Sequence, residues 1–317
     1  MVLLVSSVLV TSGSGGEERA EPIRIGALTE SWGPTPSVVG LRDGLLELGY
    51  RENKDFVIGV RFTQGDLAAL PAAARDLVHH VVDLIFVTDP TSAEAARMST
   101  SRIPIVFAGV GDPVGLGLIE SFARPSGNIT GVTDSRFDLG PKRLELFLEI
   151  IPDLKRILFA YDANNPYSVA EARMYRDIAR RLGIVLVERT VRTESEAEAT
   201  LAKVRKGEVD GILAPGYHSL NIPGFILEAS SEQAIPTMFH GAFWVERGGL
   251  ASYGPEIYES GRQAARLVDK ILKGARPAEI PVEVNSKIEF AINLKAVKAL
   301  GLSIAPEVLY QADRLVR

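Results

Sequence analysis

Cysteine is absent from all 317 residues. That one absence excludes disulfides, thiolate nucleophiles, Cys-ligated zinc and a lipid-bearing N-terminal cysteine. A basic excess is missing too: the net charge is −5 and no Lys/Arg stripe is interleaved with aromatics, so nucleic acid is not an expected partner. No G-x-x-x-x-G-K-[ST], H-E-x-x-H or G-x-S-x-G motif occurs. The chain therefore carries no signature of a nucleotide-phosphate loop, a zinc protease or a serine hydrolase. Without a nucleophile–base constellation or converging metal ligands, neither enzyme chemistry nor a metal or cofactor is expected. Past the N-terminus no segment is apolar enough to cross a bilayer.

What is present is an ordinary globular composition, 46% hydrophobic and 24% charged, long enough for two α/β lobes. The N-terminal "MVLLVSSVLV" is apolar but too short to span a membrane, and the small, polar "TSGSGGEERAEP" follows it. These segments suit the apolar and cleavage regions of a secretory signal, although the basic start is missing. Residues 1–22 are expected to be a signal or a disordered start, and the protein to be exported.

From Ile23 the chain alternates strand and helix patterns. "IRIGAL" reads as a strand; Val38, Leu41, Leu45 and Leu48 recur at helical spacing over 37–49 and stop at Gly49. The continuous apolar runs "LIFV" (84–87) and "IPIVF" (103–107) fit strands buried on both faces of a parallel sheet, and helical stretches such as 70–81 separate the strands. The pattern then repeats. Arg24 is answered by Arg156, Gly49 by Gly183, Asp83 by Asp210 and Gly109 by Gly241, at separations of 132, 134, 127 and 132 residues. Two lobes of like topology follow, each an open parallel sheet with helices on both faces.

Such sheets bind ligands beyond the carboxyl ends of their strands. The loops expected there are "TESWGPTPS" (29–37), "TDPTSAE" (88–94) and "GVGDPVG" (109–115) in the first lobe. In the second they are "DANNPYS" (162–168), "PGYHSL" (215–220) and "HGAFW" (240–244). Both tryptophans and two of the four histidines fall in these loops, an expected apolar wall for a small molecule. The glycine-rich 109–117 stretch is not a dinucleotide loop, because Val114 stands where G-x-G-x-x-G needs glycine. Asp112 before Pro113, like Asp89 before Pro90, instead reads as an N-cap opening a helix, whose free N–H groups can receive a polar ligand atom.

The segments "RDGLLELGY", "IPIVFAGVGDPVGLGLIESFARPSGNITGV", "GGLASYGPEIYESGRQAARLVDKILKGARPAEIPVE" and "FAINLKAVKALGLSIAPEVLYQAD" resemble the substrate-binding components of ABC importers. The resemblance is to the subfamily related to tryptophan- and tyrosine-binding lipoproteins, and it covers residues 23–315. It implies a type I periplasmic-binding fold: two Rossmann-like lobes that close on a small molecule and deliver it to a membrane permease. Because the lipobox cysteine that many relatives use is absent, a soluble periplasmic protein, and a monomer, is expected. The lobes are expected to comprise 23–132 plus about 253–284, and 133–252 plus about 285–317. "GVGDPVG" keeps the family pattern at Gly109, Gly111, Asp112 and Pro113. "TDPTS" has Asp89 where a small residue is common, "PGYHS" puts Tyr217 and His218 where acidic and amide residues are usual, and "FHGAFW" brings His240, Phe243 and Trp244. Loss of an acidic partner there removes a seat for an ammonium group, and the added aromatic surface favours a flat apolar ligand; the expected ligand is a small aromatic or amino-acid-like molecule bearing a carboxylate.

The expected ligand-binding set is thus Ser31, Trp32, Thr88, Asp89, Thr91, Ser92, Gly109, Gly111, Asp112, Asn164, Tyr217, His218, His240, Phe243 and Tyr253. Tyr253 is placed where the chain recrosses between lobes. A solute-binding component of an importer leads over a ligand-sensing receptor domain of the same fold, and over an α/β enzyme. The sensor reading is weakened because only about twenty residues precede the first strand, too few for a DNA-binding head.

Overall fold

The computed structural model describes residues 21–31, 35–134, 138–217 and 219–317. Most of the expected signal segment, and Trp32 and His218 from the expected site, lie outside the described residues.

The first half runs β1 (Ile23–Thr29), α1 (Pro36–Glu47), β2 (Phe56–Phe62), α2 (Leu70–His79), β3 (Leu84–Val87), α3 (Pro90–Ser99), β4 (Ile105–Val110) and β5 (Ile129–Asp134). After α4 (Gly140–Ile150) the second half repeats the plan with β6 (Arg156–Asp162), α5 (Pro166–Leu182), β7 (Val185–Val191), α6 (Glu194–Leu201), β8 (Gly211–Leu213), α7 (Ile222–Gln233), β9 (Thr237–Phe239), α8 (Ala242–Glu246) and β10 (Ala251–Pro255). The chain ends with α9 (Ile257–Leu272), β11 (Glu283–Asn285), β12 (Ile288–Asn293), α10 (Leu294–Ala299), α11 (Pro306–Gln311) and β13 (Arg314–Val316).

Two separate sheets result. The first is ordered β11-β5-β4-β3-β1-β2 and is parallel throughout; the second is ordered β13-β12-β10-β9-β8-β6-β7, with β12 antiparallel to β10. The first five strands of each half follow one order in both sheets: second, first, third, fourth, fifth. This is the doubly wound order whose ligand crevice lies beyond the strand ends.

The sequence repeat is a repeat of bonds as well. Asp83 donates its N–H to the Arg24 carbonyl and accepts the Arg24 N–H on its carboxylate, both at 2.8 Å. Asp210 does the same with Arg156, again at 2.8 Å for both contacts. Each aspartate fixes the start of its lobe's third strand beside its first.

The strands are apolar on both faces, so each sheet is sandwiched between two apolar clusters. Leu41, Leu45 and Phe86 lie in one and Ile85, Leu77 and Phe107 in the other of the first lobe. Phe147, Phe159 and Tyr175 face Leu158, Ile212 and Phe239 across the second sheet. Helix α9 follows a strand of the second sheet yet packs on α1 of the first lobe. Glycines make that fit possible: a Cβ on Gly261 would sit 1.9 Å from the Ser37 carbonyl oxygen, and one on Gly40 2.0 Å from that of Tyr258. The chain leaves the second sheet after Pro255 and returns to it after Asn285, and these crossings are bonded together. Glu256 donates its N–H to the Lys287 carbonyl at 2.9 Å, and Asn285 Nδ2 donates to the Glu256 carbonyl at 2.9 Å.

Candidate functional site

Between the carboxyl ends of the two sheets lies a cavity of about 470 Å³, within the usual range for a small-molecule site. Its first wall is polar. The end of β1 supplies Thr29, Glu30 and Ser31, the start of α1 supplies Thr35 and Ser37, and the end of β3 supplies Thr88 and Asp89. Its second wall is aromatic and carries a histidine. The loop after β8 supplies Pro215, Gly216 and Tyr217, the loop after β9 supplies His240, and α8 with its C-terminal turn supplies Phe243, Trp244 and Arg247.

Asp89 organises the polar wall. As N-cap of α3 its Oδ1 accepts from the Ser92 N–H at 2.7 Å and from Thr91 Oγ1 at 2.6 Å; its Oδ2 accepts from Ser92 Oγ at 2.7 Å and from the Glu30 N–H at 3.2 Å. Thr91 Oγ1 also lies 3.2 Å from Glu30 Oε2, so one hydroxyl links two carboxylates that are 2% and 6% exposed. At the start of α1 the buried hydroxyls of Thr35 and Ser37 share a hydrogen bond of 2.7 Å. The helix begins with Pro36, and its N-terminal end carries partial positive charge toward the cavity.

Behind the aromatic wall lies a buried ionic chain. His240 Nε2 is 2.7 Å from Glu171 Oε1, and Glu171 accepts the Gly216 N–H at 3.2 and 3.0 Å on its two oxygens. Burial pushes the Glu171 carboxyl up. The charge and hydrogen bond of His240, the Gly216 N–H and the nearby Arg143 outweigh burial and hold it below the ordinary range. Arg143 is fully buried, with Nε donating to the Tyr253 carbonyl at 2.7 Å and Nη1 to the Tyr175 hydroxyl. Burial pushes that hydroxyl to about 12. On the aromatic wall the Trp244 ring stacks on Phe239 at 5.6 Å and meets the Phe243 edge at 5.2 Å, while the Arg247 guanidinium sits 3.4 Å from the centre of the Phe243 ring.

The structure gathers Ser31, Thr88, Asp89, Tyr217, His240 and Phe243 around the cavity, and Thr91 and Ser92 directly behind it on Asp89. Of the other described residues in the expected set, it brings none there. Gly109, within β4, and Gly111 and Asp112, in the loop after it, lie outside the lining; Thr133 Oγ1 ties the junction down by donating to the Val110 carbonyl at 2.6 Å. Asp112 is exposed and accepts the Gly115 N–H at 2.8 Å; it opens a turn, not the expected helix. Asn164 is exposed and bonds to Asp162 and to the Arg192 carbonyl. Its neighbour Asn165 is the buried one, capping α5 and donating to Ser219 Oγ at 2.9 Å. Tyr253 lies within β10, its ring packed on Phe290, rather than at the crossing itself.

Buried acidic side chains nevertheless line the cavity on the opposite wall, at Glu30 and Asp89. Sequence reasoning missed Glu30, which stands beside the chosen Ser31. It also missed Arg143 and Glu171, which lie inside helices and reach the site only through the tertiary fold.

The profile of the family described as ABC transporter substrate binding protein matches residues 24–316. A tyrosine-binding protein of Clostridioides difficile (strain R20291) is 28% identical over 265 residues, covering 83% of this chain and 76% of the relative. The crystal structure of an ABC domain from Streptococcus pneumonia in complex with L-Trp is similar with a TM-score of 0.80 at 25% identity, covering 93% of this chain and 100% of the other. A conserved domain protein from Vibrio cholerae reaches 0.81 at 29% identity, with the same coverage of 93% and 100%. Profile, relatives and doubly wound lobes agree: this chain belongs to the ABC transporter substrate-binding protein family.

Proposed function

We propose that the protein captures an aromatic α-amino acid between its lobes, outside the cytoplasmic membrane, and presents it to an ABC permease. Its work is lobe closure around the ligand, not bond chemistry. The supporting observation is the polarity of the cavity. Two buried carboxylates and a cluster of hydroxyls line one wall, and Tyr217, Phe243 and Trp244 line the other. An α-amino acid complements both walls at once. The ammonium group sits at Glu30 and Asp89, the carboxylate at the Thr35 and Ser37 hydroxyls and the start of α1, and the ring against the aromatic wall.

Titration calorimetry and thermal shift test this with four probes: L-tyrosine, L-tryptophan, tyramine and 3-(4-hydroxyphenyl)propionate. Each amino acid should raise the melting temperature, adding about 2.7 kcal/mol of stability at a hundredfold excess over Kd. Tyramine, lacking the carboxylate, and the propionate, lacking the ammonium, should each bind at least about tenfold more weakly. D89N keeps an acceptor for the Ser92 N–H but removes charge, so it should weaken the amino acids and leave the propionate unchanged. Equal affinity for the propionate and for L-tyrosine would overturn the reading.

A further inference from the structure

At the edge of the cavity, beside the lining residue Asn221, the two lobes meet backbone to backbone. Gly65, in the loop after β2, donates its N–H to the Glu30 carbonyl at 2.7 Å, and Gln64 donates to the Ser31 carbonyl at 3.1 Å. This loop is thereby stitched to the polar wall. Opposite it stands the turn before α7. A Cβ on Gly65 would lie 2.8 Å from the Leu220 nitrogen and 3.5 Å from that of Asn221. Both sides hold left-handed backbone, with φ of 54° and 81° at Gln64 and Gly65, and 54° and 51° at Leu220 and Asn221. Three of these four are not glycine, so the conformation is held by its surroundings. Asn165 holds the second-lobe side, through its hydrogen bond to Ser219 Oγ.

A second contact sits beside the first. Tyr167, in the first turn of α5, places its hydroxyl 3.5 Å from Glu94 Oε2 on α3 of the other lobe. Its ring also lies 5.9 Å from that of Tyr217 on the aromatic wall. Gly65, Glu94, Tyr167 and Leu220 do not line the cavity, yet each is bonded or packed to a segment that does, or continues into one. We infer that this cross-cleft clasp sets how far the lobes close, and that Gly65 is therefore an affinity-determining residue that never touches ligand. The inference rests on the capture-by-closure reading. A ligand can shift the open–closed equilibrium only by its preference for the closed form, so a group that obstructs closure lowers affinity by the same factor.

The test uses the cysteine-free background. In E94C/Y167C, a short bis-thiol-reactive linker captures the closed form even when it is a minor population. The parent pair should crosslink within the molecule. Adding G65V should slow crosslinking at least about tenfold, because the new side chain meets backbone and not a movable side-chain tip. G49V is the matched control: Gly49 is also left-handed, at φ 93°, but a Cβ there meets nothing within 4 Å. It should change the rate less than about twofold. In the cysteine-free protein, G65V should likewise weaken L-tyrosine binding about tenfold. The clasp is refuted if the parent pair fails to crosslink, if G65V crosslinks at the parent rate, or if G49V slows it equally. If L-tyrosine fails to accelerate crosslinking while the G65V effect persists, the ligand assignment falls and the clasp stands.

Discussion

Nε2 of His240, at the end of β9, lies 2.7 Å from Oε1 of Glu171, in the middle of α5. Through this contact a residue of the cavity wall is held by a side chain anchored in the second lobe's core. The same carboxylate takes the Gly216 N–H, so one group fixes the loops after β8 and β9 relative to each other. The first of those loops carries Tyr217, and the second leads into α8 with Phe243 and Trp244. The ionic chain behind them therefore sets where the aromatic surface stands, and the nearby Arg143 favours the charged form of Glu171.

Glu171→Gln keeps the size and one acceptor but removes the carboxylate that pairs with His240 and whose charge is felt by the buried Arg143 guanidinium. Breaking a buried pair from one side costs about 3–5 kcal/mol. Urea unfolding at pH 7 should show a loss of that order. Replacing the arginine as well, in E171Q/R143M, should recover part of it, because no uncompensated buried charge then remains. A double variant no more stable than E171Q would show that Arg143 and Glu171 do not act as a pair.

The pH dependence has a defined sign. The Glu171 carboxyl is held below its ordinary value of 4.5, so its contribution is present above that pH and is lost as pH falls through the lowered folded value. Burial pushes Asp162 the other way, above its ordinary 3.8, despite the N–H groups of Asn164 and Asn165. That contribution is present below 3.8 and is lost as pH rises through the raised folded value. In unfolding curves taken from pH 7 into the acid range, the deficit of E171Q relative to the parent should shrink below about pH 4.5. D162N, which retains an acceptor for the Asn164 N–H, should be more stable than the parent at pH 7 and equal to it in acid.

Local signals translated directly into structure. Gly49 ends α1 because its φ of 93° is open to glycine, and Asp89–Pro90 caps α3 through atoms three residues away. The paired landmarks Arg24/Asp83 and Arg156/Asp210 are visible in sequence because the same strand-to-strand bond is made twice. Strand-end residues such as Tyr217 and His240 reach the cavity as the open-sheet rule requires. What stayed hidden depends on distant partners. Glu171 and Arg143 read as ordinary helix residues until α4, α5 and β10 pack together. Asp112–Pro113 carries the same local signature as Asp89–Pro90, yet the N–H groups of Leu118 and Ile119 both turn back to the Pro113 carbonyl. Burial of those two apolar side chains ends the turn before a helix can form.

Asp112 therefore separates the two kinds of aspartate. D112A should cost about 1 kcal/mol, the usual loss for a side chain capping one N–H, seen as a small drop in melting temperature. Its affinity for L-tyrosine should match the parent's. D89A should lose both stability and affinity, because Asp89 caps α3 and also anchors Glu30. Strong loss of binding in D112A would mean that the 109–117 loop reaches the ligand after all.

The aromatic wall carries its own reporter. The chain has two tryptophans, Trp32 and Trp244, and Trp244 lines the cavity between Phe239 and Phe243. In W32F, Trp244 is the sole indole, and filling the cavity with L-tyrosine should displace water from it and shift its emission to the blue. W244F should lose most of that change while folding normally, since the Phe239 stack keeps an aromatic partner. F243A removes both a ring edge and the surface under Arg247, and should weaken L-tyrosine about tenfold, as expected for one aromatic contact of about 1 kcal/mol plus its buried area. If the emission change survives in W244F and vanishes in W32F, the ligand rests against the first lobe alone, and the opposed polar and aromatic walls do not act together.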